Sequence, residues 1–177
     1  KELISDSILT ELKDIVIQRD TIVEDRFHKI IEESPVMDIE ERINMEDLFE
    51  RVSGFLSNEL NLEKERLLRK FIERELISTT VIREGVAVPH IIVDGDGIFK
   101  IILIRAKNGI IFTNENIVRA VFVIIGSLDE RSFHLKALAA IAQILQNPAF
   151  DHRWLDARNK DELKNIVLLA ERKRGAF

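Results

Sequence analysis

The spacing of apolar residues changes along this chain at Ser78, and the change restricts the folds that the chain can adopt. Four segments have apolar residues at helical spacing. These segments are about 45–60, 62–75, 132–145 and 160–174. Short apolar runs typical of strands lie between the second and third helical segments, separated by the turn signals DGDG and KNG. These runs are 78–82, 85–89, 98–105 and 118–125, and a further short strand is expected within 36–44. Asn159 is the expected N-cap of the last helix. Helices on both sides of a block of strands predict an α/β or α+β sandwich.

Residues 1–35 predict one long helix ahead of this block. An apolar residue stands at every seventh position: Leu9, Val16, Val23 and Ile30. Arg19 and Arg26 occupy positions where a coiled coil needs its second apolar seam, which argues against a long coiled coil. Pro35 ends the segment. The helix either packs on its own domain or connects and dimerises the protein, and the domain proper is expected at 36–177.

Composition and charge exclude several classes of protein. The formal net charge of −5 over 177 residues gives no basic footprint for nucleic acid. The absence of cysteine excludes disulfides, thiolate metal sites and a cysteine nucleophile, and it fits a cytoplasmic location. No apolar run approaches the roughly 18 residues that span a bilayer. The chain begins with Lys1 instead of methionine, which leads us to expect a piece of a longer protein.

The histidines are the first candidates for chemistry, and two of the four stand in unusual contexts. His90 follows a proline at the end of an apolar run, where we expect a strand to stop. His134 lies at the start of a predicted helix, where backbone donors favour an anion. These two, with His28 and His152, show no metal-ligand spacing, and no serine elbow or phosphate-binding glycine loop is present, so we expect no metal and no cofactor.

Arg74, at the end of a predicted helix, is a third candidate. The residues alone leave these candidates unrelated, since a cap, a surface position or a salt bridge would explain each of them.

The stretch from Arg74 to His90, RELISTTVIREGVAVPH, resembles the signature of a known family. It is similar to the fructose/mannitol-type (type 2) enzyme IIA domains of the bacterial phosphotransferase system, which include the nitrogen-regulatory IIA proteins. The Arg-Glu pair, the pair Thr79 and Thr80, and the run GVAVPH follow that pattern without a gap. A later block, VFVIIGSLDERSFHLKALAAIAQIL, resembles the family's later strand and the helix that opens with His-Leu. The resemblance extends over about residues 38–172.

The resemblance implies a fold and a set of roles. The fold would be α/β, a central mixed sheet flanked by helices, here with an extra N-terminal helix. His90 would accept a phosphoryl group from a phosphorylated carrier protein, HPr or a relative, and pass it to an enzyme IIB domain. Arg74 and His134 would act beside the phosphate as catalytic residues, with Thr79 and Thr80 as lesser phosphate-binding contacts. Chemistry agrees, because a neutral imidazole is nucleophilic near pH 7 and arginine offers a fixed cationic fork to phosphoryl oxygens.

The sequence departs from the family's pattern close to the motif. Val81 and Arg83 stand where glycines are common, and Ile91 stands where a glycine often follows the histidine. Bulkier side chains there are expected to restrict the approach of a donor protein. The run HLKALAAIA and the helix at 1–35 are also similar to IIA-like domains attached to membrane transporters, such as cation/proton antiporters, chloride-channel-type proteins and permeases. Two functions are therefore predicted as alternatives: a phosphoryl carrier, and a cytosolic regulatory domain of a transporter that binds an anion or a partner.

Overall fold

The computed structural model of the chain describes residues 24–174, which form a seven-stranded mixed sheet with helices on both faces. The strands are β1 (Val36–Ile39), β2 (Ile43–Asn44), β3 (Val81–Arg83), β4 (Gly85–Ala87), β5 (His90–Val93), β6 (Phe99–Ile111) and β7 (Ile117–Ser127). The helices are α1 (Arg26–Glu33), α2 (Met45–Leu60), α3 (Lys64–Ile77), α4 (Arg131–Leu145), α5 (Phe150–Asp156) and α6 (Lys160–Leu168). None of these described helices is long and apolar enough to cross a membrane. The predicted α/β architecture with a central mixed sheet is confirmed.

The long antiparallel pair β6–β7 forms the centre of the sheet. β1 and β2 follow each other along the outer side of β6, both parallel to it. β4 and β5 follow each other along the outer side of β7, again parallel, and β3 closes that edge antiparallel to β4. Because only Val88 and Pro89 separate β4 from β5, this whole segment is held against one neighbour, with His90 opposite Ile124 of β7.

Alternate residues of the two central strands face two separate cores, as the pleat of a strand requires. On one face, Leu103 and Phe122 pack under α1, α4, α5 and α6. On the other face, Ile104 and Val123 pack under α2 and α3. Burial of both faces explains why the central strands are almost continuously apolar in sequence.

The KNG sequence at 107–109 does not end a strand, contrary to the prediction. β6 continues through it, and its register with β7 shifts between Arg105 and Ile110. Gly109 has a φ of +88°, and a Cβ at this position would collide with Cγ2 of Ile117. The glycine therefore permits a bulge inside a long strand, a use that local sequence does not distinguish from a turn.

The described part of the N-terminal segment is not one continuous helix. Asp25 has extended backbone (φ −82°, ψ 179°), and its carboxylate accepts from the backbone N–H of His28 at 2.9 Å, so that α1 begins at Arg26. Phe27 and Ile31 of α1 are buried in the core of the domain. The prediction of an unbroken helix over 1–35 is wrong at this point. The expected dimerising seam falls on residues 1–23, outside the described residues.

The last helix begins where it was predicted to begin but ends earlier. The side chain of Asn159 accepts from the backbone N–H of Glu162 at 2.9 Å, which confirms the predicted N-cap. α6 then ends at Leu168 instead of near residue 174. Beyond it, Arg172 donates to both carboxylate oxygens of Asp25 at 2.7 Å. The segment after α6 is thus bound to the start of α1 through Arg172 instead of continuing the helix.

Arg105 is a fully buried cation on β6. Its Nε and Nη2 donate to the two carboxylate oxygens of Asp38 on β1, at 2.9 and 2.6 Å. Its Nη1 donates to the carbonyl oxygen of Trp154 at 3.1 Å and to that of Ala157. The hydrogen bonds from Arg105 hold the pKa of Asp38 below its ordinary value of 3.8. This pair therefore joins the sheet to the end of α5.

Arg105→Met should lower the free energy of unfolding by about 3 kcal/mol, the low end of the range for breaking a buried pair, because the partly buried Asp38 carboxylate and the carbonyl oxygens of Trp154 and Ala157 lose their hydrogen bonds from the arginine. Urea denaturation measures the change. Lys107→Met is the matched control on the same strand, since it removes only a 3.6 Å ion pair with Glu40 between exposed side chains, and it should have little effect.

The same variant carries a pH signature. Because the pKa of Asp38 is lowered in the folded state, its contribution to stability is present above about pH 3.8 and is lost as pH falls through the folded-state pKa. The difference between Arg105→Met and the native protein should shrink in that acidic range. Equal losses in Arg105→Met and Lys107→Met would contradict the assignment.

Candidate functional site

His90 is the first residue of β5, and two hydrogen bonds determine the state of its imidazole. Nδ1 lies 2.7 Å from the carbonyl oxygen of Val88, which can only accept. Nε2 lies 3.3 Å from Nη2 of Arg74, which can only donate. Nδ1 therefore carries the proton and Nε2 presents a lone pair.

The strand before Pro89 stops as predicted, since β4 ends at Ala87, but a new strand that was not predicted begins directly after the proline. Pro89 falls in the gap between β4 and β5, where its missing N–H is not needed for the ladder. Its carbonyl oxygen accepts from the backbone N–H of Ile124 at 2.9 Å, so that the chain stays attached to β7. Strand pairing with β7 resumes at His90, so the histidine belongs to a strand of the sheet and not to a loop at its edge.

Arg74 lies in the last turn of α3, and the loop that follows holds its guanidinium. Nη1 donates to the carbonyl oxygen of Ser78 at 2.8 Å and to its hydroxyl oxygen at 3.2 Å. These contacts leave Nη2 directed at His90. A planar cation fixed in this way is suited to bind an oxyanion next to the imidazole.

His134, the fourth residue of α4, lies against His90 from the opposite side of the sheet edge. The two imidazole centroids are 5.3 Å apart, and their planes meet at 77°. Burial lowers the pKa of His134 to about 4, and the neighbouring His90 and Arg131 act in the same direction. His134 is therefore neutral at pH 7 and carries one ring N–H donor.

The pKa of His90 is also lowered from its ordinary value of 6.5, chiefly by burial. The hydrogen bond to the Val88 carbonyl opposes this shift, and the charge of Arg74 reinforces it. His90 is consequently in its neutral, nucleophilic form at pH 7.

The three side chains open onto a cavity of about 400 Å³ with an apolar rim. Ile77 of α3, Ile92 of β5 and Leu135 of α4 line it, and they are exposed by 81 %, 37 % and 60 %. The structure thus brings His90, His134 and Arg74 together, although the residues alone left them unrelated.

Thr79 and Thr80 lie in the same loop but bind a carboxylate. Glu75, which is 2 % exposed, accepts from the Thr79 hydroxyl at 2.8 Å and from the Thr80 hydroxyl at 2.5 Å. It also accepts from the Thr80 backbone N–H and, at 3.4 Å, from the Thr113 hydroxyl. While these bonds hold, neither of the two predicted threonines has a hydroxyl proton left for an anion, and their role as phosphate contacts stays a prediction.

Glu75 is a residue whose role the sequence reasoning missed. Three successive hydrogen bonds connect its carboxylate to the imidazole: the Thr80 N–H donates to Glu75, the Val88 N–H donates to the Thr80 carbonyl at 2.9 Å, and Nδ1 of His90 donates to the Val88 carbonyl. The sequence signal for this role is the position of Glu75, four residues before Thr79 and five before Thr80, near the end of a helix. Such spacing lets a buried side chain cap the following loop.

The departures from the family's pattern do not cover the imidazole. Arg83 points elsewhere, because its Nη1 and Nη2 donate to the carboxylate of Asp151 at 3.0 and 2.9 Å. Ile91 is 5 % exposed and belongs to the core under α2 and α3. Val81 packs at the edge of the same core. The expected restriction at the acceptor is therefore not seen at these three positions.

Glu24, His28 and Glu32 form a group in which the potential metal-ligand atoms lie within 4.8 Å of one another. Arg174 donates to Nδ1 of His28 at 3.1 Å, so the proton of the neutral ring lies on Nε2 and is donated to Glu32 at 3.1 Å. A metal on Nε2 would require that proton on Nδ1, facing the arginine. These residues therefore form a hydrogen-bonded cluster that joins α1 to Arg174, and their protonation pattern does not suit a cation site.

NMR should show His90 as the Nδ1–H tautomer at pH 7, and it should show His134 as neutral throughout about pH 5–8, because burial lowers the pKa of His134 to about 4. Long-range ¹H–¹⁵N correlation spectra of the imidazoles report both states, with exposed His152 as the solvent-accessible reference. An Nε2–H tautomer for His90, or protonation of His134 at pH 6, would overturn this description.

Three solved structures share the fold. The nitrogen regulatory protein IIA-Ntr from Neisseria meningitidis is 20% identical and has a TM-score of 0.71, with coverage of 81% of this chain and 99% of that chain. IIA mannitol from Escherichia coli is 18% identical with a TM-score of 0.62, covering 75% and 94%. The third structure is the complex of enzyme IIA mannitol and phosphorylated enzyme IIB mannitol from Escherichia coli. It is 18% identical with a TM-score of 0.60, and the match covers 75% of this chain and 92% of that chain. Identities this low show the fold alone.

The comparison with curated proteins gave no match. In the comparison with protein families, residues 29–169 match the family described as "Phosphoenolpyruvate-dependent sugar phosphotransferase system, EIIA 2". The matched region includes the C-terminal part of α1, the whole sheet and the three residues around the cavity. Because the match spans most of the chain, the protein belongs to the type 2 enzyme IIA family of the phosphoenolpyruvate-dependent sugar phosphotransferase system.

Proposed function

We propose that this protein is a phosphoryl carrier in which Nε2 of His90 accepts a phosphoryl group from the phosphohistidine of an HPr-like carrier and passes it to an enzyme IIB protein. The observation that supports this most directly is the state of the imidazole. Its one proton is donated to the Val88 carbonyl, and its lone pair lies beside Arg74 at an open cavity. A neutral ring with a free lone pair is the form that attacks phosphorus.

The step balances without a further reactant. The bond between phosphorus and the donor's imidazole nitrogen breaks as the bond to Nε2 of His90 forms, and the electron pair of the broken bond returns to the donor. No proton leaves Nε2, because the proton of the ring lies on Nδ1. The substituted ring gains positive charge, which the hydrogen bond from Nδ1 to the Val88 carbonyl stabilises. Transfer to the next protein is the same exchange in reverse.

Arg74 and His134 stabilise the charge of the transferred group in this proposal. The Arg74 fork is already 3.3 Å from the attacking nitrogen and needs little reorganisation to bind phosphoryl oxygens. His134, neutral and on the other side of His90, supplies one N–H donor. Thr79 and Thr80 act indirectly, since both hydroxyls hold the loop to Glu75.

The apolar rim of the cavity favours a protein as the phosphoryl donor. Exposed side chains of Ile77, Ile92 and Leu135 surround the imidazole, and large exposed apolar groups around a polar centre are typical of protein interfaces. The Escherichia coli relative IIA mannitol forms a complex with phosphorylated enzyme IIB mannitol. A protein partner of the same kind, met in the cytoplasm, is part of the proposal.

Incubation with phosphoenolpyruvate, the general phosphotransferase enzyme and an HPr-like carrier should add one phosphoryl group to the protein. The label should be acid-labile and alkali-stable, as phosphoramidates are, and intact mass spectrometry detects it. His90→Gln should abolish it, whereas His152→Gln, which changes an exposed histidine on α5, should retain it. Arg74→Ala should slow labelling by about 10²–10³-fold through loss of a fixed oxyanion donor. Arg69→Ala on the exposed face of α3 is its control.

Far-UV circular dichroism of each variant excludes misfolding as the reason for a lost label. The carrier proposal would be contradicted if the folded native protein took no label, or if the His90→Gln variant were still labelled. The first of these results would favour the regulatory alternative, in which the domain binds an anion or a transporter without phosphoryl transfer.

Leu135→Ser should raise the apparent KM for the phosphorylated carrier several-fold with little change in kcat, because it removes apolar contact area from the proposed docking rim. Leu169→Ser is the matched control, since Leu169 is similarly exposed (54 % against 60 %) but lies beyond α6. Initial rates of labelling at several carrier concentrations separate the two constants. An equal change in both variants would argue against docking at this rim.

A further inference from the structure

A second cavity, of about 270 Å³, lies at the other end of the strands that carry the acceptor histidine. It is lined by Arg83 at the end of β3, Gly85 at the start of β4, Arg119 of β7 and Trp154 of α5. Gly85 precedes His90 by five residues, roughly 16 Å along extended chain, so the two cavities are separate.

Two buried N–H groups of this lining have no hydrogen-bond partner within the part of the chain that the structure describes. They are Nε of Arg83 and Nε1 of Trp154, a residue only 1 % exposed. An unsatisfied buried donor costs about 1–3 kcal/mol, and natural proteins contain few of them. The remaining nitrogens of Arg83 donate to Asp151, so its guanidinium is held in place with Nε unused.

The charges of the lining are complementary to an anion. Arg119 is half-buried and forms no hydrogen bond or ion pair with any residue from 24 to 174. Asp151 is already occupied by Arg83, and the other acidic residue of the lining, Glu84, is exposed. Among residues 24–174, a cation and two N–H donors without hydrogen-bond partners therefore belong to the lining of one small cavity.

We propose that this cavity binds a small molecule through an oxyanion group, a phosphate or a carboxylate. Arg119 supplies the ion pair, and Nε1 of Trp154 and Nε of Arg83, which have almost no accessible surface in the unliganded structure, donate once the oxyanion enters between the side chains that cover them. The volume lies below the roughly 300 Å³ at which drug-sized pockets begin, which restricts the ligand to a small metabolite. The binding itself does not depend on phosphoryl transfer at His90.

The position of the cavity gives such a ligand a route to the first site. β4 begins at Gly85 in the lining and leads directly to Val88, whose carbonyl oxygen holds the imidazole of His90. A ligand there contacts the strand that orients the acceptor without touching the acceptor itself.

The chain contains one tryptophan, so its indole N–H gives a single, assignable NMR signal from within the cavity. Inorganic phosphate and propionate are titrated separately into the ¹⁵N-labelled full chain at constant ionic strength, with sodium chloride as the blank. We expect a saturable shift of the indole signal with one or both anions, and the anion that produces it identifies the ligand class. Arg119→Gln should weaken binding at least about tenfold, as expected for loss of a charge-assisted hydrogen bond.

Arg153→Gln is the matched control, because it removes the same charge from the exposed neighbour of Trp154 and should leave the titration unchanged. Thermal unfolding confirms that both variants are folded. No shift with either anion, a shift that does not saturate, or the same titration in Arg119→Gln would overturn the proposal.

Discussion

The backbone of β7 is the element on which the rest of the molecule depends. It pairs with β6 on one side and with β4 and β5 in succession on the other, while its side chains alternate between the two cores. A strand used on both edges and both faces cannot shift by one residue without exchanging the contents of the two cores. This constraint places His90 opposite Ile124 and Arg119 at the opposite end of the same strand pair.

A buried carboxylate extends that constraint to the chemistry. Glu75 collects the hydroxyls and the backbone N–H of the loop after α3, and this loop holds Val88, whose carbonyl orients His90. The nucleophilic nitrogen is therefore positioned by a series of hydrogen bonds, each with one possible donor and one possible acceptor. Preorganisation of this kind suits phosphoryl transfer, in which the protein supplies position and charge and little covalent chemistry.

The two ends of α6 differ in whether local or distant contacts surround them. Asn159 caps α6 through a bond three residues away, which local sequence is sufficient to indicate. Beyond the other end of α6, Arg174 donates to the carbonyl oxygen of Leu168 and Arg172 binds Asp25 at the start of α1. A hydrogen bond between residues so far apart in the chain leaves no periodic signal in the sequence. The sequence therefore predicted that the helix extends to about residue 174, beyond its actual end at Leu168.

The sequence by itself predicted most of the helices and strands in their order, because periodicity is a local property, and its resemblance to the family implied the three residues that meet at the cavity. It did not determine how Pro89 and the glycine at 109 would be used, since each residue type suits both a strand interruption and a turn. Only the tertiary structure decided that Thr79 and Thr80 bind Glu75, that Arg83 binds Asp151, and that His90 is protonated on Nδ1. The physical reason is that a hydrogen bond depends on distance and direction in space, and neither can be read from the identities of two residues far apart in the chain.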